Sequence, residues 1–132
     1  MTQKLKLMGT GTSSKNADQM AAGTVSLANS GAGSTSQANS TLIVDDVTEF
    51  TTVSSANGCR LPADASLGGE GPTPGDTFFI ENGQASNALL IYPPSTGKLN
   101  NLSANTSISM AASKAAMCIY KGSNNYTVIV SA

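Results

Sequence analysis

Apolar positions in this chain fall in short runs separated by Gly, Pro, Asn and Ser, and the runs crowd into the part after Thr41. β-Branched and aromatic residues dominate them, which predicts strands. The first candidates are Thr41 to Val44 and Val47 to Val53, with Asp45-Asp46 marking a bend between them. The alternation through Val47 to Val53 is imperfect, and a bulge near Phe50 would repair it. Asn57-Gly58 is a hairpin-type turn signal leading into Cys59-Arg-Leu. Pro62 to Gly75 has no period and reads as a loop. Further strands are predicted near Thr77 to Glu81, Ala88 to Tyr92, Ser107 to Met110, Ala116 to Lys121 and Tyr126 to Ser131. Turn signals stand at Asn82-Gly83 and Gly122-Ser-Asn-Asn125, and Pro93-Pro94 forces the chain out of its sheet. Ala111 to Met117 is the one weak helical pattern. No repeat of fixed period emerges, so a solenoid is not expected.

Several runs are apolar on both faces. Phe78 and Phe79 are adjacent and so point to opposite sides of a regular strand. One serves the core, and the other needs a second cover. Leu89-Leu90-Ile91 and Val128-Ile129-Val130 make the same demand. Strands covered on both sides imply a sandwich packed into an oligomer, or a strongly curved barrel.

Residues 1–40 differ from the rest. Leu5, Leu7 and Met8 form one small apolar group and Val25 and Leu27 another, among Gly/Ser-rich pieces that read as linkers. Such a segment buries too little apolar area to order itself, so it is expected to be disordered or to order against something else. The expected organisation is an extended arm over 1–40 and one β-domain over 41–132.

Composition narrows the function. At 132 residues the chain suits one domain. Seven basic and eight acidic residues give a net charge of −1, without the basic, aromatic-interleaved stripe that binding to nucleic acid through phosphates would need. With no histidine, Ser-His-acid and Cys-His catalysis and His-containing zinc sites are closed to a single chain. Carboxylates at Asp45, Asp46, Glu49, Asp64, Glu70, Asp76 and Glu81 form no acid/base constellation, and the Asp45, Asp46, Glu49 group has no calcium-loop spacing. Gly9-Thr-Gly-Thr-Ser-Ser and Gly97-Lys98 lack the glycines of a phosphate cradle. Cys59 and Cys118 match no metal spacing and read as two buried thiols in strands. No secretory or membrane-spanning stretch stands in the sequence, which predicts synthesis in a reducing cytoplasm. The expectation is a protein without catalysis or cofactor.

Arg60-Leu-Pro-Ala, Pro74-Gly-Asp-Thr-Phe-Phe-Ile-Glu-Asn-Gly, Asn87-Ala-Leu-Leu-Ile-Tyr-Pro-Pro, Gly97-Lys-Leu-Asn-Asn-Leu and Ala111-Ala-Ser-Lys-Ala-Ala-Met-Cys together resemble the small head decoration, cement or head-fibre proteins of tailed bacteriophages. The resemblance covers about Ser36 to Ala132. A Trp-Tyr pair often found near the last strand of that family is replaced here by Asn125-Tyr126. It implies a β-rich module, commonly trimeric, fixed on the virion surface. The expected fold is therefore all-β, a compact antiparallel sandwich or barrel of which a jelly roll is one form. The expected role is a capsid decoration protein, a homotrimer made in the host cytoplasm that stabilises the head by binding the major capsid protein from outside. Its partners include neither nucleic acid nor membrane. A receptor- or glycan-binding module of a head or tail fibre is the alternative. The residues expected at subunit or capsid interfaces are Leu5, Leu7, Val25, Leu27, Phe50, Phe78, Phe79 and Tyr92.

Overall fold

A computed structural model of the chain describes residues 25–26, 32–64 and 71–132. They form nine strands and no helix: β1 (Val25–Ser26), β2 (Thr41–Leu42), β3 (Val47–Phe50), β4 (Gly58–Arg60), β5 (Thr77–Asn82), β6 (Leu89–Tyr92), β7 (Ile108–Met110), β8 (Ala115–Gly122) and β9 (Asn125–Val130). The all-β class is as the residue pattern predicts. The expected arm lies mostly outside the described residues, Leu5, Leu7 and Leu27 with it. Residues 32–40, assigned above to the arm, lie on the domain instead. Ala32 N–H donates to the Thr52 carbonyl (2.9 Å), and Gly33 N–H to that of Gly58 (3.0 Å).

The strands build a five-stranded sheet in the order β1-β3-β5-β8-β9 and a four-stranded sheet in the order β2-β4-β6-β7. Neither is purely antiparallel, which corrects the expected antiparallel pairing. From β1 to β6 successive strands alternate between the two sheets, and each pairs in parallel with the strand two places earlier. The chain thus winds as a flattened two-sheeted coil, and β7, β8 and β9 add antiparallel strands at its far side. Val47 pairs with Phe79 and Gly58 with Leu90, so both sheets step by the same 32 residues between these coils. The preceding steps are 22 and 18 residues, Val25 to Val47 and Thr41 to Cys59. Unequal loops hide the winding from any search for a fixed period.

Two turn signals have another meaning in this topology. Asn57-Gly58 does not close a hairpin, because β3 and β4 belong to different sheets. Gly58 is needed for close approach: a Cβ there would meet the Leu90 carbonyl oxygen and the Tyr92 ring, each at 2.8 Å. Asn82-Gly83 likewise crosses between sheets. The Gly122 to Asn125 signal does close a hairpin. Ser123 and Asn124 are both left-handed, with φ of 52° and 62°, the twist that a two-residue link between antiparallel strands requires. Near Phe50 the strand has no bulge. It keeps strict alternation and ends, and the chain bends at Thr51. Ala111 to Met117 runs into β8 and forms no helix, since inward residues alternate there with period two.

One core fills the space between the sheets. Phe50, Phe78, Ile80, Cys118, Tyr120, Tyr126 and Val128 face inward from the larger sheet, and Cys59, Leu89, Ile91 and Met110 from the smaller. Cys59 and Cys118 are both buried, as predicted, in β4 and β8. Burial holds the Cys118 thiol up to about 12. The Cys59 thiol is also well above its ordinary range, through burial first and then the neighbouring Cys118.

Candidate assembly surface

Alternation in β5 sends Phe78, Ile80 and Asn82 inward and Thr77, Phe79 and Glu81 outward. The same parity holds in the neighbouring strands, and the registers align the outward residues into rows across the larger sheet. Val47 is paired with Phe79, Phe79 with Met117, and Met117 with Ile129. This row of apolar side chains crosses β3, β5, β8 and β9. Phe79 keeps 47% of its surface exposed and Ile129 53%; Val47 and Met117 are half-buried. Ile119, between Thr77 and Thr127, widens the row on one side. Glu49 and Glu81 stand side by side on the other. Singly exposed apolar residues are ordinary; four in line across one sheet face make this face the candidate contact surface.

The expected interface residues separate in this geometry. Phe79 lies at the centre of the row. Val25 lies in β1, paired through its backbone with Val47 at the end of the same row. Phe50 and Phe78 are corrections: at 0% and 4% exposure they are core residues, because their strand positions face the opposing sheet. Tyr92 is on the smaller sheet, half-buried, with its hydroxyl donating to the Thr35 carbonyl (2.7 Å). Val47, Met117 and Ile119 were not singled out from the sequence, and Ile129 stood out there only within the two-sided run Val128-Ile129-Val130. The signal was present, since Ala116 to Lys121 is apolar at both parities. Only the register shows that the outward set of three strands falls into line with Val47.

The β9 edge of this sheet is closed. Tyr126 N–H donates to the Lys98 carbonyl (3.0 Å), and Asn100 N–H to the Tyr126 carbonyl (2.9 Å). The Asn100 side chain then stands in for a further strand residue. Its Nδ2 donates to the Val128 carbonyl (3.1 Å) and its Oδ1 accepts from Val128 N–H (2.8 Å). Asn100 has φ of 52°, a conformation that asparagine tolerates better than most residues. An open edge is a template for pairing with other chains. Asn100→Gly keeps the backbone conformation and removes both side-chain bonds. It is expected to cost about 1–3 kcal/mol and to make the protein associate with rising concentration, read by thermal melting and light scattering. A variant as stable and as monodisperse as the parent would show that the amide does not guard the edge.

Tyrosines fasten the loop after β4 to the last two strands. Tyr126 Oη donates to the Pro62 carbonyl (2.6 Å), and Tyr120 Oη to Asp64 Oδ1. The two rings lie 5.0 Å apart. Burial first, then the Asp64 hydrogen bond, raises the Tyr120 hydroxyl above its ordinary range. No buried side-chain nitrogen or oxygen among the described residues lacks a partner. Among those residues, too, no three cysteines or carboxylates gather closely enough to hold a metal ion. Comparison of the chain with protein-family models, curated proteins and solved structures finds no match.

Proposed function

We propose that this protein is a non-enzymatic structural component of a tailed-bacteriophage virion. It is made in the host cytoplasm and assembles, as a homotrimer by the resemblance above, onto the outside of the head. The open face of the five-stranded sheet sits on the major capsid protein and reinforces the shell. The observation that carries this reading is the apolar row Val47, Phe79, Met117, Ile129, left uncovered by the described chain on a regular sheet face. Burying a side chain such as Phe79 contributes about 1.5–3 kcal/mol, and many copies on a repeating lattice multiply weak contacts into firm retention. The aromatic residues favour a structural role over glycan reading. Phe50, Phe78, Tyr120 and Tyr126 are buried and Tyr92 is half-buried, which leaves Phe79 as the one broadly exposed ring among the described residues.

The test is co-sedimentation with heads stripped of their decoration, alongside sedimentation of the free protein. The parent protein should pellet with the heads. Phe79→Asp should keep its fold and bind at least about tenfold more weakly, the effect of ~1.4 kcal/mol at each contact. A parent protein that ignores heads would overturn the virion reading. Undiminished binding by Phe79→Asp would overturn the choice of face.

A further inference from the structure

The outer face of the five-stranded sheet is unevenly charged. Glu49 and Glu81 are paired across β3 and β5, each one outward position beyond Val47 and Phe79 of the apolar row. Glu81 is exposed and Glu49 half-buried. The Glu49 carboxylate leans over Gly83, where an added Cβ would come within 2.7 Å of its Oε1. Like charges in direct register on neighbouring strands repel and are relieved by a cation. The cations of the described chain are placed elsewhere. Arg60 is on the smaller sheet, donating to the Gln37 and Ala38 carbonyls (3.3 and 3.2 Å). Lys114 turns its Nζ to the Ala132 carbonyl, and Lys98 lies in the segment that borders β9. Lys121 does point outward on this face, but at the opposite corner, beyond Met117 and Ile119 near the β8–β9 hairpin. Among the described residues, the acidic pair beside the row thus has no cation partner.

Resting on the reading above that this face is the one that docks, we propose that its partner is a protein surface with an apolar ridge flanked on one side by lysine or arginine, and that Glu49 and Glu81 orient it. The ridge buries Val47, Phe79, Met117 and Ile129, and the basic side chain reaches both carboxylates. The row spans three inter-strand spacings, on the order of 14 Å, so a ridge of a few side chains covers it. Such a ridge can lie along the row in two opposite directions. One places its cation on the acidic pair. The other carries it across the row to Ile119 and Thr127, which are paired on β8 and β9, and toward Lys121, where it meets an apolar side chain and a like charge. Apolar burial supplies the affinity, and the charges at opposite corners select the direction.

Two binding measurements test this and separate its failure from that of the virion reading. In the first, an amphipathic Leu/Lys peptide is titrated into the free protein at low salt and the amide signals of the outer face are followed. Signals of Glu49, Phe79, Glu81 and Met117 should move, and a Leu/Glu or Ser/Lys peptide of equal length should leave them in place. The double variant Glu49→Gln, Glu81→Gln should bind the Leu/Lys peptide about fivefold more weakly, with the difference vanishing at high ionic strength. Its urea midpoint should equal or exceed the parent's, because a repulsion is gone. In the second, parent and double variant are co-sedimented with stripped heads, and the variant should again be retained less firmly at low salt. A Leu/Lys peptide that fails to bind the parent, a Leu/Glu peptide that binds as well, or heads that retain the variant as firmly as the parent would each overturn the basic partner. A parent that binds the Leu/Lys peptide selectively but ignores heads would overturn the virion reading alone and support the chemistry assigned to the partner. Self-association of the parent that Phe79→Asp abolishes would place a second copy on the face and overturn the proposal.

Discussion

Tyr126→Ala is expected to lower the unfolding free energy by about 4–6 kcal/mol, combining the ~3–5 kcal/mol of a large aromatic truncated in a core with the desolvated carbonyl it leaves behind. Tyr126 is fully buried, edge-on to Phe78 at 6.2 Å and tilted on Tyr120 at 5.0 Å. Its hydroxyl holds the Pro62 carbonyl. A domain stable by roughly 5–15 kcal/mol loses much of its margin in this one change. Tyr126→Phe keeps the ring and removes the hydrogen bond, so it should cost about 1–3 kcal/mol. Urea unfolding of the three proteins separates the two contributions; a Tyr126→Ala protein within about 1 kcal/mol of the parent would mean that the ring is not a core element.

The same hydroxyl sets a pH dependence. Burial first, then Tyr120 and Cys118, raises the Tyr126 hydroxyl above its ordinary value of 10.0. The folded protein thus keeps a proton that the unfolded chain releases. Stability from this group is fully present below pH 10 and falls as pH climbs from there toward the folded value, by up to about 1.4 kcal/mol per pH unit. Urea midpoints measured from pH 9 to 11.5 should fall for the parent and fall less steeply for Tyr126→Phe. Equal slopes would contradict the assignment.

The second large effect is expected at Asn82, buried at 0% exposure at the inner end of β5. Its Nδ2 lies near three carbonyls, those of Asn87 (2.9 Å), Ala111 (3.3 Å) and Met110 (3.4 Å), and its Oδ1 accepts from Gln84 N–H (3.2 Å). One amide therefore joins the end of β5 to the β5–β6 crossing and to the chain leaving β7. Asn82→Leu matches its size but leaves these groups without a partner in a dry site, at a cost of about 2–4 kcal/mol. Asn82→Asp should be worse, since it turns a negative oxygen toward carbonyls. Thermal or urea unfolding decides the matter, and an Asn82→Leu protein as stable as the parent would show that the amide is dispensable.

These two residues show how far the sequence could be read. Tyr126 stands in a plain alternating run, so its strand and its inward parity follow from period two alone. Asn82-Gly83 carries the usual marks of a hairpin turn, and its burial follows only from the crossing of the chain between two sheets. The candidate surface divides likewise. The adjacent Phe78 and Phe79 require two covers because a strand has two faces, and Phe79 is indeed the exposed one. Phe50 carries no such mark, and its place in the core depends on which sheet its strand joins.

The local physics of the residues determined the positions of most strands, the hairpin at Gly122 to Asn125, the burial of Cys59 and Cys118, and an excess of apolar side chains over what one core can hold. Backbone preference and side-chain period act over a few residues, and they are written in the order of the chain. Tertiary structure alone decided the coil-like alternation between sheets, the parallel pairing, the closing of β9 by Asn100, and the alignment of Val47, Phe79, Met117 and Ile129 into one row. Each depends on register between residues tens of positions apart, set by loops of unequal length, and a shift of one residue in any strand would have turned its share of that row into the core.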